Sequence, residues 1–296
     1  MSIQAKLMYL FIKAMHGNSI FETIEGAREM MNKNAIINEL PLTIPKVKSK
    51  ITEKTCKGLS TYWFTNDGNA KDSIILYIHG GAFVNQPSPL HWRYVDKIAR
   101  STGTPLVMAV YPKAPVHQFT EAYDFLMAVY SEMLDFGYTN IIFMGDSAGA
   151  TLSIGLAMWL KEQNKPMPSK LVLLSPCVDM TLENSEILYV KQHDPMLAVP
   201  GILEIGKEWS GGADLCDYRL SPIYGDLSEL PPTLLLIGSY EILCPDARKF
   251  KELADRAGAP LSYREYPKMF HVFPGFPIPE ADKANKEIFE FIGKTT

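Results

Sequence analysis

One serine of this chain lies in a setting that favours nucleophilic chemistry. Ser147 is the centre of the run 145–149, GDSAG, which reads G-x-S-x-G. An apolar run (141–144) precedes it and small and apolar residues (150–160) follow it, a pattern that predicts a strand, a sharp turn and a helix. Glycines flank the turn because a Cβ there would crowd the neighbouring strand and helix. The turn would expose the Ser147 hydroxyl and leave the Ala148 amide at a helix N-terminus, facing developing negative charge.

A serine nucleophile needs a base to take its proton and an acid to orient that base. His271 lies in a loop between the last predicted strand and the C-terminal helix, which is where the base must arrive. Two carboxylates, Glu241 and Asp246, follow an earlier predicted strand. Glu241 is closer to the strand end and suits the acid, because it can accept a hydrogen bond from the far ring nitrogen of the histidine. Asp246 is expected to cap the helix that begins near Ala247 and remains the alternative acid.

Consecutive glycines after a buried apolar run indicate a loop that can approach a carbonyl oxygen closely. His79 is followed there by Gly80, Gly81 and Ala82. Amides of this loop, together with the Ala148 amide, would form an oxyanion hole. We expect His79 itself to hold the loop by hydrogen bonding rather than to act as the base.

Other reactive residue types are expected to have structural roles. Asp146 is the variable position of the turn, where it could help to position the loop, and Asp179 and Asp194 should make loop and cap hydrogen bonds. Cys177 and Cys244 lie near strand ends without a basic neighbour in the sequence, so we expect inert thiols. The four cysteines are widely spaced and contain no C-x-x-C pair, which argues against a zinc knuckle and a disulfide framework.

These side chains must be positioned by a repeating pattern of short apolar runs and longer amphipathic segments. Such alternation predicts a mostly parallel central sheet with helices on both faces. The predicted strands cover residues 59–64, 74–78, 106–110, 141–144, 171–174, 234–237 and 262–266, and the predicted helices cover 92–100, 121–135, 150–160, 247–257 and 280–292.

Two regions depart from this pattern and predict a helical cap. Residues 1–50 look helical, and residues 176–220 form a long insertion with a predicted helix at 201–209. A structureless loop of that length would be unusual in a compact domain. We therefore predict an N-terminal cap segment (1–50), an inserted cap segment (176–220) and a catalytic core made of 51–175 and 221–296.

The bulk properties exclude several classes of partner. The formal net charge of −4 gives no basic footprint for nucleic acid. The apolar run 7–15 is interrupted by Lys13 and is far shorter than the roughly 20 residues that span a bilayer. No A-x-A cleavage pattern follows it. We therefore expect a cytoplasmic protein with reduced thiols and no stable membrane anchor.

These motifs resemble the hormone-sensitive-lipase-like group of α/β-hydrolases, the bacterial family IV esterases and acetyl esterases. The resemblance implies the α/β-hydrolase fold with a helical cap, and the order nucleophile, acid, base for Ser147, Glu241 and His271. It also implies that the oxyanion amides come from Gly80, Gly81 or Ala82, plus Ala148. The matching pieces spread over about 190 residues: 79–82, 111–115, 145–149, 221–222, 238–246 and His271.

Three positions depart from the pattern of that group. Ala82 replaces the third glycine of H-G-G-G, which narrows the backbone freedom there but keeps an N–H. Glu241 replaces the usual aspartate, so its loop must sit back by on the order of 1 Å to preserve the hydrogen bond. Lys113 stands where the group usually has an apolar residue.

The resemblance implies a serine carboxylesterase that hydrolyses short-chain acyl esters through an acyl-enzyme, without a cofactor or metal. Its partner would be a small-molecule ester, and a homodimer is compatible with the group. An amidase, formamidase or peptidase could use the same triad. A non-catalytic ligand-binding protein and an interfacial lipase are further alternatives, the lipase being favoured if the apolar face of 7–15 is exposed.

Overall fold

The central sheet is mostly parallel and has one antiparallel edge. The computed structural model describes residues 1–66 and 72–293, and within these ranges the sheet has eight strands in the order β1-β2-β4-β3-β5-β6-β7-β8. Strand β2 pairs antiparallel with β1 and β4, and all other pairs are parallel. The strands are β1 (Lys50–Cys56), β2 (Leu59–Thr65), β3 (Ser73–Ile78), β4 (Leu106–Ala109), β5 (Asn140–Asp146), β6 (Lys170–Leu174), β7 (Thr233–Gly238) and β8 (Leu261–Tyr266).

Helices connect the parallel strands, and two further helices precede the first strand. Short 3₁₀ turns lie at Ser19–Phe21, Pro222–Tyr224 and Phe273–Gly275. The helices are α1 (Ile3–Ala14), α2 (Ile24–Ile37), α3 (Pro89–Thr102), α4 (Phe119–Asp135), α5 (Ala148–Glu162), α6 (Ile187–Val190), α7 (Val199–Ser210), α8 (Cys244–Arg256) and α9 (Pro279–Gly293). None of these described helices combines the length and apolar character that a bilayer span requires.

The two faces of the sheet are covered by different helices. Along β5, Ile141 and Phe143 point into one apolar cluster with α4, α5 and α8. Ile142 and Met144 point into the opposite cluster with α3 and α9. This alternation follows from the two-residue period of a strand, and burial on both faces explains why the central strands read as continuous apolar runs. The predicted mostly parallel sheet with flanking helices is confirmed.

The structure corrects several element boundaries. Strand β1 was not predicted, because its charged, half-exposed sequence KITEKTC lacks an apolar run and lies at the sheet edge, where it pairs antiparallel with β2. The strand predicted at 106–110 ends at Ala109. Helix α8 begins at Cys244, so Asp246 lies inside its first turn, and the N-cap position belongs to Leu243. The prediction that Asp246 caps this helix is therefore wrong.

Helix α2 and the 19–21 turn pack against helix α7 of the insertion, whereas α1 packs against α9. An added Cβ at Gly201 of α7 would lie 2.5 Å from the Cα of Phe21, so these backbones approach each other closely. Arg28 of α2 binds Glu204 of α7 at 2.7 Å. We call α1, α2, the 19–21 turn and α7 the cap helices. The predicted division into core and cap segments stays a proposal that these contacts support.

A substitution at Gly149 tests the close approach between helix α5 and strand β3. An added Cβ there would overlap the carbonyl oxygen of Ile78, which is fixed in the sheet. Gly149→Ala should therefore lower the free energy of unfolding by about 3 kcal/mol or more, measured by urea denaturation. Gly275→Ala is the control, because its Cβ would meet Leu90 at an ordinary 3.7 Å. Equal denaturation midpoints for the two variants would contradict this packing.

Candidate active site

Ser147 occupies a strained turn between β5 and α5. Its backbone has φ 50° and ψ −123°, a left-handed conformation that non-glycine residues rarely adopt. The turn is held by the Ser147 amide, which donates to the carbonyl of Leu174 at 2.8 Å. An added Cβ at Gly145 would lie 2.5 Å from the backbone of Gly149, and one at Gly149 would overlap the Ile78 carbonyl, so each position requires glycine for its own reason.

The structure brings Ser147, His271 and Glu241 together in one hydrogen-bonded chain. Nδ1 of His271 lies 2.7 Å from Oε2 of Glu241, and Nε2 lies 2.8 Å from Oγ of Ser147. When Nδ1–H donates to the carboxylate, Nε2 is left to accept the serine hydroxyl proton. Asp246 lies elsewhere and accepts a hydrogen bond from Asn184 at 2.8 Å. The geometry therefore favours Glu241 over Asp246 as the acid.

A residue that the sequence analysis missed, Ser175, positions the acid. The second carboxylate oxygen of Glu241 accepts the Ser175 hydroxyl at 2.8 Å and the Gly238 amide at 2.6 Å. The Ser175 oxygen also accepts the Val272 amide at 3.1 Å, so it connects the acid to the loop that carries His271. Its position directly after β6, at the same sheet edge as Ser147, was the available sequence signal.

Buried carboxylates set the protonation of His271. Burial lowers the pKa of the imidazole, but the hydrogen bond and the charge of Glu241 outweigh burial, and the net pKa is raised above 6.5. The charges of Asp194 and Asp146 act in the same direction. Asp194 accepts the amides of Met196, Leu197 and Ile242, the loop hydrogen bonding that was expected of it. Burial nevertheless raises the pKa of Asp194 to about 6.

The loop of consecutive glycines offers two amides rather than three. The Gly80 N–H donates to Oδ1 of Asp146 at 3.0 Å, so the prediction that Gly80 contributes to the oxyanion hole is corrected. Within residues 1–66 and 72–293, the amides of Gly81, Ala82 and Ala148 have no protein acceptor. These three residues line the same cavity as Ser147. Ala82 keeps the left-handed backbone of a glycine position, with φ 54°.

Asp146, the variable residue of G-x-S-x-G, joins three elements around the nucleophile. Its carboxylate accepts the Tyr77 hydroxyl at 2.7 Å, the Gly80 amide at 3.0 Å and Nε2–H of His91 at 3.1 Å. Burial would raise the pKa of this carboxyl, but His91 and the other donors lower it to about 2. The sequence allowed Asp146 a positioning role, but no motif in it pointed to Tyr77 or His91.

His79 and Lys113 support the loop 79–82, which we call the oxyanion loop. Nδ1–H of His79 donates to the Gly80 carbonyl at 2.7 Å, and its ring stacks on Tyr111 at 4.7 Å. Burial lowers the pKa of His79 well below its usual value, which suits the structural role expected of it. Lys113 is also buried, where its Nζ donates to the Tyr111 carbonyl at 2.7 Å and its pKa falls to about 7 because of burial.

A cavity of about 320 Å³ extends from Ser147 beneath the cap helices. Its polar side carries Asn85, Ser88 and His91. Cys177 also lines it, and burial raises the pKa of this thiol, which keeps it protonated and unreactive. In the described parts of the chain no group of three or more His, Cys, Asp or Glu side chains has the arrangement of a metal site. The apolar lining includes Ile12, Phe21, Phe83, Met180, Met196, Leu197, Ile202, Ile205, Leu243 and Phe276.

Comparison with known proteins identifies esterases and an acetyl-hydrolase among the relatives of this chain. Residues 75–275, which include Ser147, Glu241 and His271, match the family described as alpha/beta hydrolase fold. An esterase of Acinetobacter venetianus is 36% identical over 223 residues, 74% of each chain. An acetyl-hydrolase of Streptomyces hygroscopicus is 29% identical over 75% of this chain and 76% of its own. The crystal structure of an esterase from the bacterial hormone-sensitive lipase (HSL) family has a TM-score of 0.85 and 26% identity, covering 99% of this chain and 98% of that chain.

Removing the Asp146 carboxylate should damage both stability and nucleophile reactivity. Asp146→Ala leaves the Gly80 amide and the Tyr77 hydroxyl without their acceptor, at a cost of roughly 1–3 kcal/mol each. The rate at which a fluorophosphonate labels Ser147 should fall by up to about 100-fold, because the oxyanion loop loses its anchor. Asp146→Asn keeps an acceptor oxygen for both donors and should retain much of each property. Similar labelling rates for the Ala and Asn variants would contradict this role.

Proposed function

Because the chain belongs to the hormone-sensitive-lipase-like group of α/β-hydrolases, a group of carboxylic ester hydrolases, we propose that it is a serine carboxylesterase for short-chain acyl esters. The observation that carries this proposal is the hydrogen-bonded chain from Ser147 through His271 to Glu241 at the base of an apolar cavity. In this proposal the Ser147 hydroxyl is the attacking nucleophile. The catalytic roles below are part of the proposal.

In the first half-reaction, Oγ of Ser147 attacks the ester carbonyl carbon while its proton passes to Nε2 of His271. The carbonyl π electrons move to the oxygen, which becomes the oxyanion of a tetrahedral intermediate. The amides of Gly81, Ala82 and Ala148 donate to this oxyanion, and each preorganised donor lowers the barrier by on the order of 3 kcal/mol. The anionic Glu241 stabilises the imidazolium and keeps its ring in the required orientation.

Departure of the alcohol completes the first half-reaction, and water takes the acyl group in the second. The oxyanion collapses, the bond to the alcohol oxygen breaks, and the imidazolium of His271 protonates that oxygen as the alcohol leaves. The product at this stage is an ester between the acyl group and Ser147. Water then attacks this ester while His271 takes a water proton. The second tetrahedral intermediate then collapses, the bond between the acyl carbon and Oγ of Ser147 breaks, and His271 returns the proton to Oγ as the carboxylic acid leaves.

The size of the cavity supports a preference for short acyl chains. Its volume of about 320 Å³ lies at the lower end of the roughly 300–1,000 Å³ range of small-molecule sites. Large side chains, among them Phe21, Phe83 and Phe276, occupy its walls. The similarity to an acetyl-hydrolase supports the same preference.

Hydrolysis of p-nitrophenyl esters from acetate to palmitate tests the proposal. We expect kcat/KM to be highest for the short chains, because long chains exceed the cavity. Ser147→Ala should lower kcat by roughly 10⁵-fold or more, since the attacking oxygen is gone. Ser185→Ala, which removes an exposed serine, is the matched control and should retain full activity. Near-normal turnover by Ser147→Ala would rule out this mechanism, and a matched anilide hydrolysed as fast as its ester would favour an amidase.

The pH profile tests the pairing of His271 with Glu241. The base must be neutral, and its pKa is raised above 6.5, so kcat/KM should decline toward acid pH through a pKa above that value. Glu241→Gln removes the negative charge, which should shift this acid limb to lower pH and reduce kcat by roughly 10³- to 10⁴-fold. Asp246→Asn is the control, since Asp246 does not contact His271, and it should keep the wild-type limb. An unshifted limb in Glu241→Gln would exclude Glu241 as the partner.

A further inference from the structure

Helix α1 has two apolar faces, and only one of them is packed against the protein. Ala5 is fully buried, and Met8, Tyr9 and Ile12 pack against the core beneath it. On the opposite side, Ile3, Leu7, Leu10 and Phe11 are exposed, with 77% of Ile3, 63% of Leu7 and 62% of Phe11 accessible to solvent. A helix that is apolar on both sides is typical of one covered on both sides. We call the exposed set Ile3, Leu7, Leu10 and Phe11 the outer face of α1.

The charges of α1 indicate what covers the outer face. Lys6 and Lys13 are exposed and lie seven residues apart, which places them along one border of the apolar stripe. The helix contains no acidic residue. The neighbouring Glu280 is engaged by the hydroxyl of Ser2 at 2.8 Å and by the N-terminal amine. Apolar residues bordered by lysines are the pattern of a helix that lies in an anionic lipid–water interface, where the lysine stems reach toward the headgroups.

A second copy of this chain fits the outer face less well. An antiparallel two-fold contact through α1 would bring the Lys6 and Lys13 pair of one copy toward the equivalent pair of the other. The helix supplies no carboxylate to compensate for that repulsion. Charge therefore favours a lipid surface over self-association.

The same helix forms part of the wall of the acyl cavity. Ile12, on the packed side of α1, lines the cavity that contains Ser147. The Tyr9 ring contacts Tyr240, the neighbour of Glu241, with ring centroids 5.6 Å apart. One helix thus separates the proposed reaction site from the outer face.

We propose that the outer face of α1 docks reversibly on an anionic lipid–water interface, so that acyl esters held there enter the cavity beside Ile12. Delivery of substrate rests on the proposed esterase function, whereas the docking itself does not. The lack of a membrane-spanning helix in the described chain fits this arrangement, since the contact involves one face of one short helix.

Co-sedimentation with lipid vesicles tests the docking. The wild-type protein and Ser147→Ala should both sediment with phosphatidylcholine–phosphatidylglycerol vesicles, and less with phosphatidylcholine alone. The double variant Leu7→Gln/Phe11→Gln should bind at least about tenfold more weakly, because it removes apolar contact without creating a buried defect. Lys6→Gln/Lys13→Gln should lose the preference for the anionic vesicles. The matched control Ile36→Gln/Val116→Gln changes two other exposed residues and should bind as the wild type does.

A second readout separates this proposal from the esterase proposal. Leu7→Gln/Phe11→Gln should hydrolyse dissolved p-nitrophenyl acetate at the wild-type rate but an emulsified short-chain triglyceride severalfold more slowly. Wild-type protein that stays in the supernatant with every vesicle would overturn the docking, even if the dissolved ester is hydrolysed. A wild-type dimer that Leu7→Gln/Phe11→Gln converts to a monomer would overturn it in favour of a second copy. Vesicle binding without hydrolysis of any ester would support the docking and refute the esterase proposal.

Discussion

The arrangement of the site depends on the hydrogen bonds that the buried Asp146 carboxylate accepts. Asp146 precedes Ser147 directly, so any movement of its carboxylate is transmitted to the nucleophile. The same carboxylate holds the Gly80 amide at 3.0 Å. The Gly80 amide is thereby engaged, and its attachment helps to fix the direction of the next two amides. Asp146 thus connects the turn that carries Ser147 to the loop that carries Gly81 and Ala82.

Two buried carboxylates, Glu241 and Asp194, act on His271 in different ways. Glu241 accepts three hydrogen bonds, from His271, Ser175 and Gly238, which fix its carboxylate beside the imidazole. Asp194 is also buried and accepts three amides, but its pKa lies near 6 because burial dominates. Asp194 acts on His271 through its charge, whereas Glu241 also makes a direct hydrogen bond to its ring at 2.7 Å. This arrangement supports glutamate as the acid, and the extra methylene is accommodated because Ser175 holds the oxygen that does not face His271.

Sequence patterns predicted those parts of the molecule that local chemistry determines. The central strands are buried on both faces and read as apolar runs, and the turn around Ser147 needs glycines at two fixed positions. Edge strand β1 could not be predicted, since its charged sequence lacks an apolar run and only its pairing with β2 reveals it. Ser175, Tyr77 and His91 are distant in sequence from the residues they support. Their roles depend on how strands and helices meet at one sheet edge, which a single sequence does not reveal.

Lys113 shows how a departure from a family pattern can be absorbed without a change of chemistry. Its ammonium group is buried, with its pKa lowered to about 7, so at neutral pH it need not carry a full charge into the core. Nζ of Lys113 donates a hydrogen bond to the Tyr111 carbonyl. The Tyr111 ring in turn stacks on His79, and its hydroxyl donates to the His79 carbonyl at 3.1 Å. An apolar residue at 113 would fill the space but leave that carbonyl without this donor. The lysine therefore supports, through Tyr111 and His79, the loop that carries Gly81 and Ala82.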